Sequence, residues 1–167
     1  EDVILNAAAG NVAVGAIGAT AAQIDDVTIT GATITLSGNI LTDNVGTDLG
    51  DVDINGNVAL GGAVTINTSA GNGTVDISGT VDNAQAFVIS SGTGAVGIGG
   101  NIGAGTALTS LTVNAAGSGA ITISGNIGVG GGAAGVTGAT AVGNAATTQL
   151  TLGGTAYNAN AQTYTAV

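Results

Sequence analysis

Ten carboxylates are the only side chains in this chain that carry charge near neutral pH, because it contains no Lys, Arg, His or Cys. Three of them are spaced in a way that bears on chemistry. Asp51 and Asp53 are two positions apart, as side chains on one face of a strand are. Asp53 and Asp76 are the middle residues of two like-patterned triplets, Val52-Asp53-Ile54 and Val75-Asp76-Ile77. Stacked in register they sit about 5 Å apart, where like charges repel unless a proton or a hard cation lies between them. Asp51, Asp53 and Asp76 are therefore the candidate calcium ligands, and a solvated acidic face is the alternative reading. The stretch Gly71-Asn72-Gly73-Thr74-Val75-Asp76 misses the Gly-Gly-x-Gly-x-Asp calcium repeat by one Gly and one position. Asp25, Asp26, Asp43 and Asp48 read as loop carboxylates that serve solubility and protect edges.

The same inventory argues against an enzyme. A carboxylate can act as acid or base, but no His, Cys or Lys is present as a partner and no cation is present to steady a developing oxyanion. No catalytic residue and no cofactor other than calcium is expected. A net charge of −10 with no cationic side chain excludes nucleic acid as a partner, since phosphate contacts need cations, and it disfavours anionic lipid as well. No stretch approaches the roughly 20 apolar residues of a membrane helix, so membrane insertion is not expected.

The carboxylates must be held by strands, because the chain repeats one strand-like pattern five times: an apolar–x–apolar triplet, a small residue, Gly, Asn or Thr, and another aliphatic. The copies begin at Ile34, Val52, Val75, Val96 and Ile121, spaced 18, 23, 21 and 25 residues apart. Degenerate copies at Val12-Ala13-Val14 and Leu150-Thr151-Leu152 extend the series. A second set of triplets, starting at Val3, Val27, Val64, Phe87 and Leu111, precedes the first by 7 to 11 residues. Connectors rich in Gly, Ala, Ser and Asn supply the turns. The reading is all-β: a parallel β-helix, or β-solenoid, of about seven coils of roughly 23 residues, with residues 1–167 forming a single segment. An immunoglobulin-like sandwich, with antiparallel strands, is the rival fold.

In this frame the outer residues of each triplet point inward, so Val12, Ile34, Val52, Val75, Val96, Ile121 and Leu150 are expected to stack. The repeated Gly is expected at a corner that needs φ > 0. Asn39, Asn57, Asn101 and Asn126 are expected to line one corner, as turn formers or as an amide ladder along the axis. Alanine-rich patches near 16–22 and 139–147 read as turns or loops. Thr28-Ile29-Thr30 and Thr33-Ile34-Thr35 hint at a flat Thr-x-Thr ice-binding surface, but the pair is not repeated in later coils.

Three stretches carry a family likeness: Thr80 to Gly94 (TVDNAQAFVISSGTG), Gly105 to Val113 (GTALTSLTV) and Ala161 to Tyr164 (AQTY). They resemble the β-strand repeats of filamentous-haemagglutinin-like bacterial adhesins, over most of residues 51–167 and more loosely before that. The resemblance implies an extended solenoid at the cell surface or outside the cell, used for adhesion or as fibre or matrix material. The lack of Lys and Arg departs from typical members.

Two functional classes follow. The first is a self-associating extracellular fibre or matrix protein that partners with itself end to end, as a homopolymer or in tandem repeats. The second is a binding module or stalk of an adhesin, whose ligand on a host or cell surface the residues do not specify. Residues 83–167 carry no charge and no Pro, so nothing there blocks a sheet edge from recruiting another strand. The expected joint places Leu150, Leu152, Tyr157, Tyr164 and Val167 of one copy against Glu1, Val3 and Leu5 of the next. A binding module needs an irregular aromatic or polar patch, and only Tyr157 and Tyr164 near one end offer that; there they read as a packing cap.

Overall fold

A Val-x-Ile triplet buries its two outer side chains and exposes the middle one, so each short strand contributes two residues to a core and gains stability only by stacking on another like it. The computed structural model describes residues 1–43, 49–129 and 135–167, and every regular element in them is a strand. In chain order these are β1 (Val3–Asn6), β2 (Asn11–Val14), β3 (Val27–Leu36), β4 (Ile40–Leu41), β5 (Val52–Leu60), β6 (Val64–Asn67), β7 (Val75–Ile77) and β8 (Val81–Asp82). They continue as β9 (Ala86–Ser90), β10 (Val96–Ile98), β11 (Ser110–Asn114), β12 (Ala120–Ile123), β13 (Val136–Val142), β14 (Gln149–Leu152) and β15 (Ala159–Tyr164).

All strand pairs are parallel, between residues one coil apart, so the fold is a β-solenoid and not a sandwich. The first face stacks β1, β3, β5, β7, β10, β12 and β14. The second takes β2, the latter halves of β3 and β5, β8, and bridges through Ile102, Ile127 and Tyr157. The third stacks β4, β6, β9, β11, β13 and β15, with Ile17 bridged to Ile40 in place of a seventh strand. The chain therefore completes about six turns, close to the seven coils expected from the repeat count.

Four columns, aliphatic except for a tyrosine at the end of two of them, run the length of the axis, and one of them is Leu5, Ile29, Ile54, Ile77, Ile98, Ile123 and Leu152. Val3, Val27, Val52, Val75, Val96, Ile121 and Leu150 form another on the first face. Val12, Ile34, Val58, Val81, Ile102, Ile127 and Tyr157 form that of the second. Ile17, Ile40, Ile66, Ile89, Val113, Val142 and Tyr164 form that of the third. Between the two ends nearly all of these residues are fully buried. Each contributes about 1.5–3 kcal/mol by leaving water, and Phe87 is the only aromatic ring inside.

This register corrects the expected one. Val12 and Ile34 do not stack under Val52, because Val27 occupies that place and Ile34 pairs with Val58. The reason lies in β3, where Val27-Thr28-Ile29 and Ile34-Thr35-Leu36 are interchangeable by alternation. The corner between them is marked by Gly31, which lacks a following Asn. The patch at 139–147 is also partly strand, since 139–142 belong to β13.

The repeated glycine has a different cause from the one expected. Of the five repeated glycines Gly56 alone has a positive φ, at +158°, and Gly38, Gly79, Gly100 and Gly125 do not. Gly56, Gly79, Gly100, Gly125 and Gly154 instead form a column in which a Cβ on each would come within 3.0 Å of the carbonyl oxygen of the glycine one coil below. The coils approach too closely for any side chain, which is the second reason a chain uses glycine.

One core position is at odds with its surroundings. Thr140 stacks on Leu111 with only 2% of its surface exposed, and its Oγ1 has no hydrogen-bond partner. A buried unpaired hydroxyl costs about 1–3 kcal/mol. Thr140→Val keeps the shape and β-branching, so it is expected to raise stability by about 1 kcal/mol in chemical denaturation.

Candidate functional site

The acidic stripe forms on the outer side of the first face. Thr28, Asp53, Asp76 and Gly97 are consecutive in register, so the two aspartates are direct neighbours on adjacent coils, as expected. Both are exposed. The Asp53 carboxyl is pushed above the ordinary carboxylate value, first by partial desolvation, then by the charges of Asp76, Asp51 and Asp26.

Asp51 is placed differently from the expectation. It stands half-buried at the corner before β5, and its Oδ1 accepts the Thr74 N–H at 2.7 Å. Its own N–H donates to Asp26 Oδ1 at 2.8 Å. Asp26 and Asp51 thus tie successive coils together along the axis. Among the described residues no group of three or more acidic side chains converges, so Asp51, Asp53 and Asp76 do not form one cluster.

The shift of Asp53 has a definite sign. A carboxyl whose folded pKa is raised binds its proton more readily when folded. Its destabilisation is therefore complete at neutral pH and is relieved as pH falls through the folded pKa. Asp53→Asn should raise the neutral melting temperature slightly, well under about 1 kcal/mol because the group is solvated, and the gain should shrink on acidification. Melting curves of both proteins from neutral to acid pH check this.

The corner asparagines also work through the backbone. Asn57 Oδ1 accepts the Thr80 N–H at 3.1 Å, Asn101 Oδ1 the Asn126 N–H at 2.9 Å, and Asn126 Oδ1 the Thr155 N–H at 2.7 Å. Asp82 does the same for Gly105 at 2.8 Å. The links run along the axis, but from amide oxygen to the next coil's main chain rather than amide to amide. Asn39 belongs to another corner, where it accepts from Thr65 at 2.8 Å.

A further column escaped the sequence reading. Thr42, Thr68 and Ser91 are fully buried, and their hydroxyls donate to the carbonyls of Gly50, Gly73 and Gly94, closing the turn before the first face. The signal was present as Ile40-x-Thr42, Ile66-x-Thr68 and Ile89-x-Ser91. In the sequence alone these Ser and Thr are indistinguishable from ordinary turn residues.

The two end layers collect the expected joint residues. Val3 and Leu5 lie half-buried in the first layer, with Glu1 exposed beside them and its carbonyl accepting the Asp25 N–H at 3.1 Å. Leu150, Leu152, Tyr157 and Tyr164 together make the last layer, packed on the core. The tyrosine rings meet edge to face at 6.3 Å and 78°. Tyr157 donates to the Gly154 carbonyl at 3.1 Å and Tyr164 to Gln162 Oε1 at 2.7 Å. Burial, then the neighbouring Tyr157, pushes the Tyr164 hydroxyl upward. Val167 is 83% exposed, although its N–H donates to Thr147 O at 3.0 Å, so it stands beside this layer and not in it. β1 and β2 pair only with β3, β14 only with β12, and β15 only with β13, leaving a strand edge at each end within the described residues.

The fold and these columns define a β-solenoid repeat protein. No family model, curated protein or solved structure matches the chain.

Proposed function

We propose that this chain is a structural element that joins end to end with copies of itself, as fibre or matrix material outside the cell, and that it is not an enzyme. The single observation that carries the reading is the continuity of the columns across a hypothetical joint. The last layer ends in Leu150, Leu152, Tyr157 and Tyr164, and the first begins the same columns with Val3, Leu5, Val12 and Ile17. A second copy set in register lays Val3 over Leu150 and Leu5 over Leu152, and the parallel ladders continue. Charge favours this polarity: the first layer carries Glu1 and Asp2, residues 83–167 carry none, and two first layers facing each other repel. The contact is heterologous and does not close, so it propagates. Placement outside the cell rests on the resemblance of the repeats alone.

Electron microscopy and sedimentation of the 167-residue chain test it. The expected result is filaments with a subunit repeat of roughly 34 Å, seven stacked layers at about 4.8 Å each. Tyr164→Asp, which sets a negative charge into the joint against the layer that carries Glu1 and Asp2, should leave dispersed solenoids. Compact monomers of the unaltered chain at high concentration would overturn the proposal.

A further inference from the structure

Most corner carboxylates and amides of this solenoid have a backbone N–H to accept; Asp25 and Asp43 do not. Asp25 is only 7% exposed, and its Oδ1 is buried with no hydrogen-bond partner. Asp43 Oδ1 is buried and unpartnered in the same way. With the Thr140 hydroxyl, these are the only such side-chain atoms among the described residues. The expectation that both were solvated loop carboxylates is therefore corrected for Asp25 outright and for the inner oxygen of Asp43. Asp48, read the same way, lies outside the described residues.

The two aspartates are also neighbours. Ile24 and Thr42, the residues just before them, form a parallel bridge between the first two coils, and the Asp43 N–H donates to Ile24 O at 2.9 Å. Their backbones are thus one coil step apart, about 4.8 Å. Gly50, with φ +74°, accepts a hydrogen bond from the Thr42 hydroxyl.

A buried, unpartnered carboxylate oxygen on each of two adjoining coils needs a partner, and this chain contains no Lys, Arg or His side chain to supply one. What remains is a proton or a cation from solution. We infer that Asp25 and Asp43 bind a hard divalent cation, with calcium as the best match. Two carboxylates balance its charge and offer up to about four of its six to eight oxygen ligands, leaving the rest to main-chain carbonyls and water. Magnesium demands a stricter octahedron and gives up its water reluctantly, so it fits a two-carboxylate corner less well. With only two acidic ligands the affinity belongs in the range of extracellular modules, on the order of 10⁻⁴–10⁻³ M. The ion would clamp the first coil to the second. None of this depends on whether copies join end to end.

Equilibrium dialysis with radioactive calcium, run beside thermal melts, tests the site. The expected result is one calcium per chain, with affinity falling at least about tenfold in the double variant Asp25→Asn/Asp43→Asn. Asp53→Asn/Asp76→Asn should keep it. The first double variant is nearly isosteric and loses an uncompensated charge pair, so in chelator it should melt at or above the unaltered protein. At calcium about ten times the dissociation constant the unaltered protein gains roughly tenfold in its folding equilibrium, and the order reverses. Three results would each overturn the inference: no calcium bound, binding unchanged in the Asp25/Asp43 variant, or binding lost only in the Asp53/Asp76 variant.

Discussion

Replacing Ile98 with aspartate is expected to unfold at least the coils on either side of it. Ile98 is 1% exposed and stacks between Ile77 and Ile123. The substitution removes a branched aliphatic from the core, worth about 2–5 kcal/mol with its cavity, and puts a carboxylate in its place. No cationic side chain exists anywhere in the chain to pair with it, so the group must take up a proton at a steep cost or pull its strand into water. The combined loss, above roughly 4 kcal/mol, is a large part of the 5–15 kcal/mol of an ordinary domain. In a solenoid each coil contacts only its neighbours, so the damage should start at β7, β10 and β12 and spread outward. Hydrogen exchange should show protection lost there first. Thr122→Asp, on the outer side of the adjacent strand, is the control and should cost under about 1 kcal/mol. If Ile98→Asp left exchange and stability unchanged, Ile98 would have to face solvent and the inside-outside assignment would fail.

The second large effect is expected from the smallest substitution. A Cβ added at Gly100 would stand 2.5 Å from Gly79 O and 2.6 Å from Thr80 N, main-chain atoms that cannot rotate away. Gly100→Ala must therefore push two coils apart and strain the 3.1 Å bond from Gly100 N–H to Gly79 O. Overpacking against side chains costs about 1–3 kcal/mol, and against backbone the upper end or beyond is expected. Gly15 supplies the contrast: a Cβ there meets nothing within 4 Å and its φ is not positive, so Gly15→Ala should be neutral or stabilising by up to about 1 kcal/mol. Denaturant titration of the two variants, with equal glycine-to-alanine chemistry and opposite surroundings, separates close approach from backbone freedom. Equal effects at both sites would show that propensity alone matters.

The solenoid was legible because its cause is local. Alternation within Val52-Asp53-Ile54 or Ile121-Thr122-Ile123 fixes which side chains face inward without reference to any other part of the chain, and recurrence every two dozen residues then leaves little choice but to stack. The same locality placed Asp53 beside Asp76 and set Leu150, Leu152, Tyr157 and Tyr164 in one end layer. Register was not legible in the first coils, because Val27-Thr28-Ile29 and Ile34-Thr35-Leu36 satisfy the same alternation. Only pairing with residues more than twenty positions away, Val52 and Val58, decides which face each takes. Composition settled that no cation could neutralise a buried carboxylate. It could not say that Asp25, and one oxygen of Asp43, would be buried, while Asp26 and Asp51 accept backbone N–H groups from the next coil. Burial and hydrogen-bond supply belong to the space between coils, and that space exists only once the turns have been stacked.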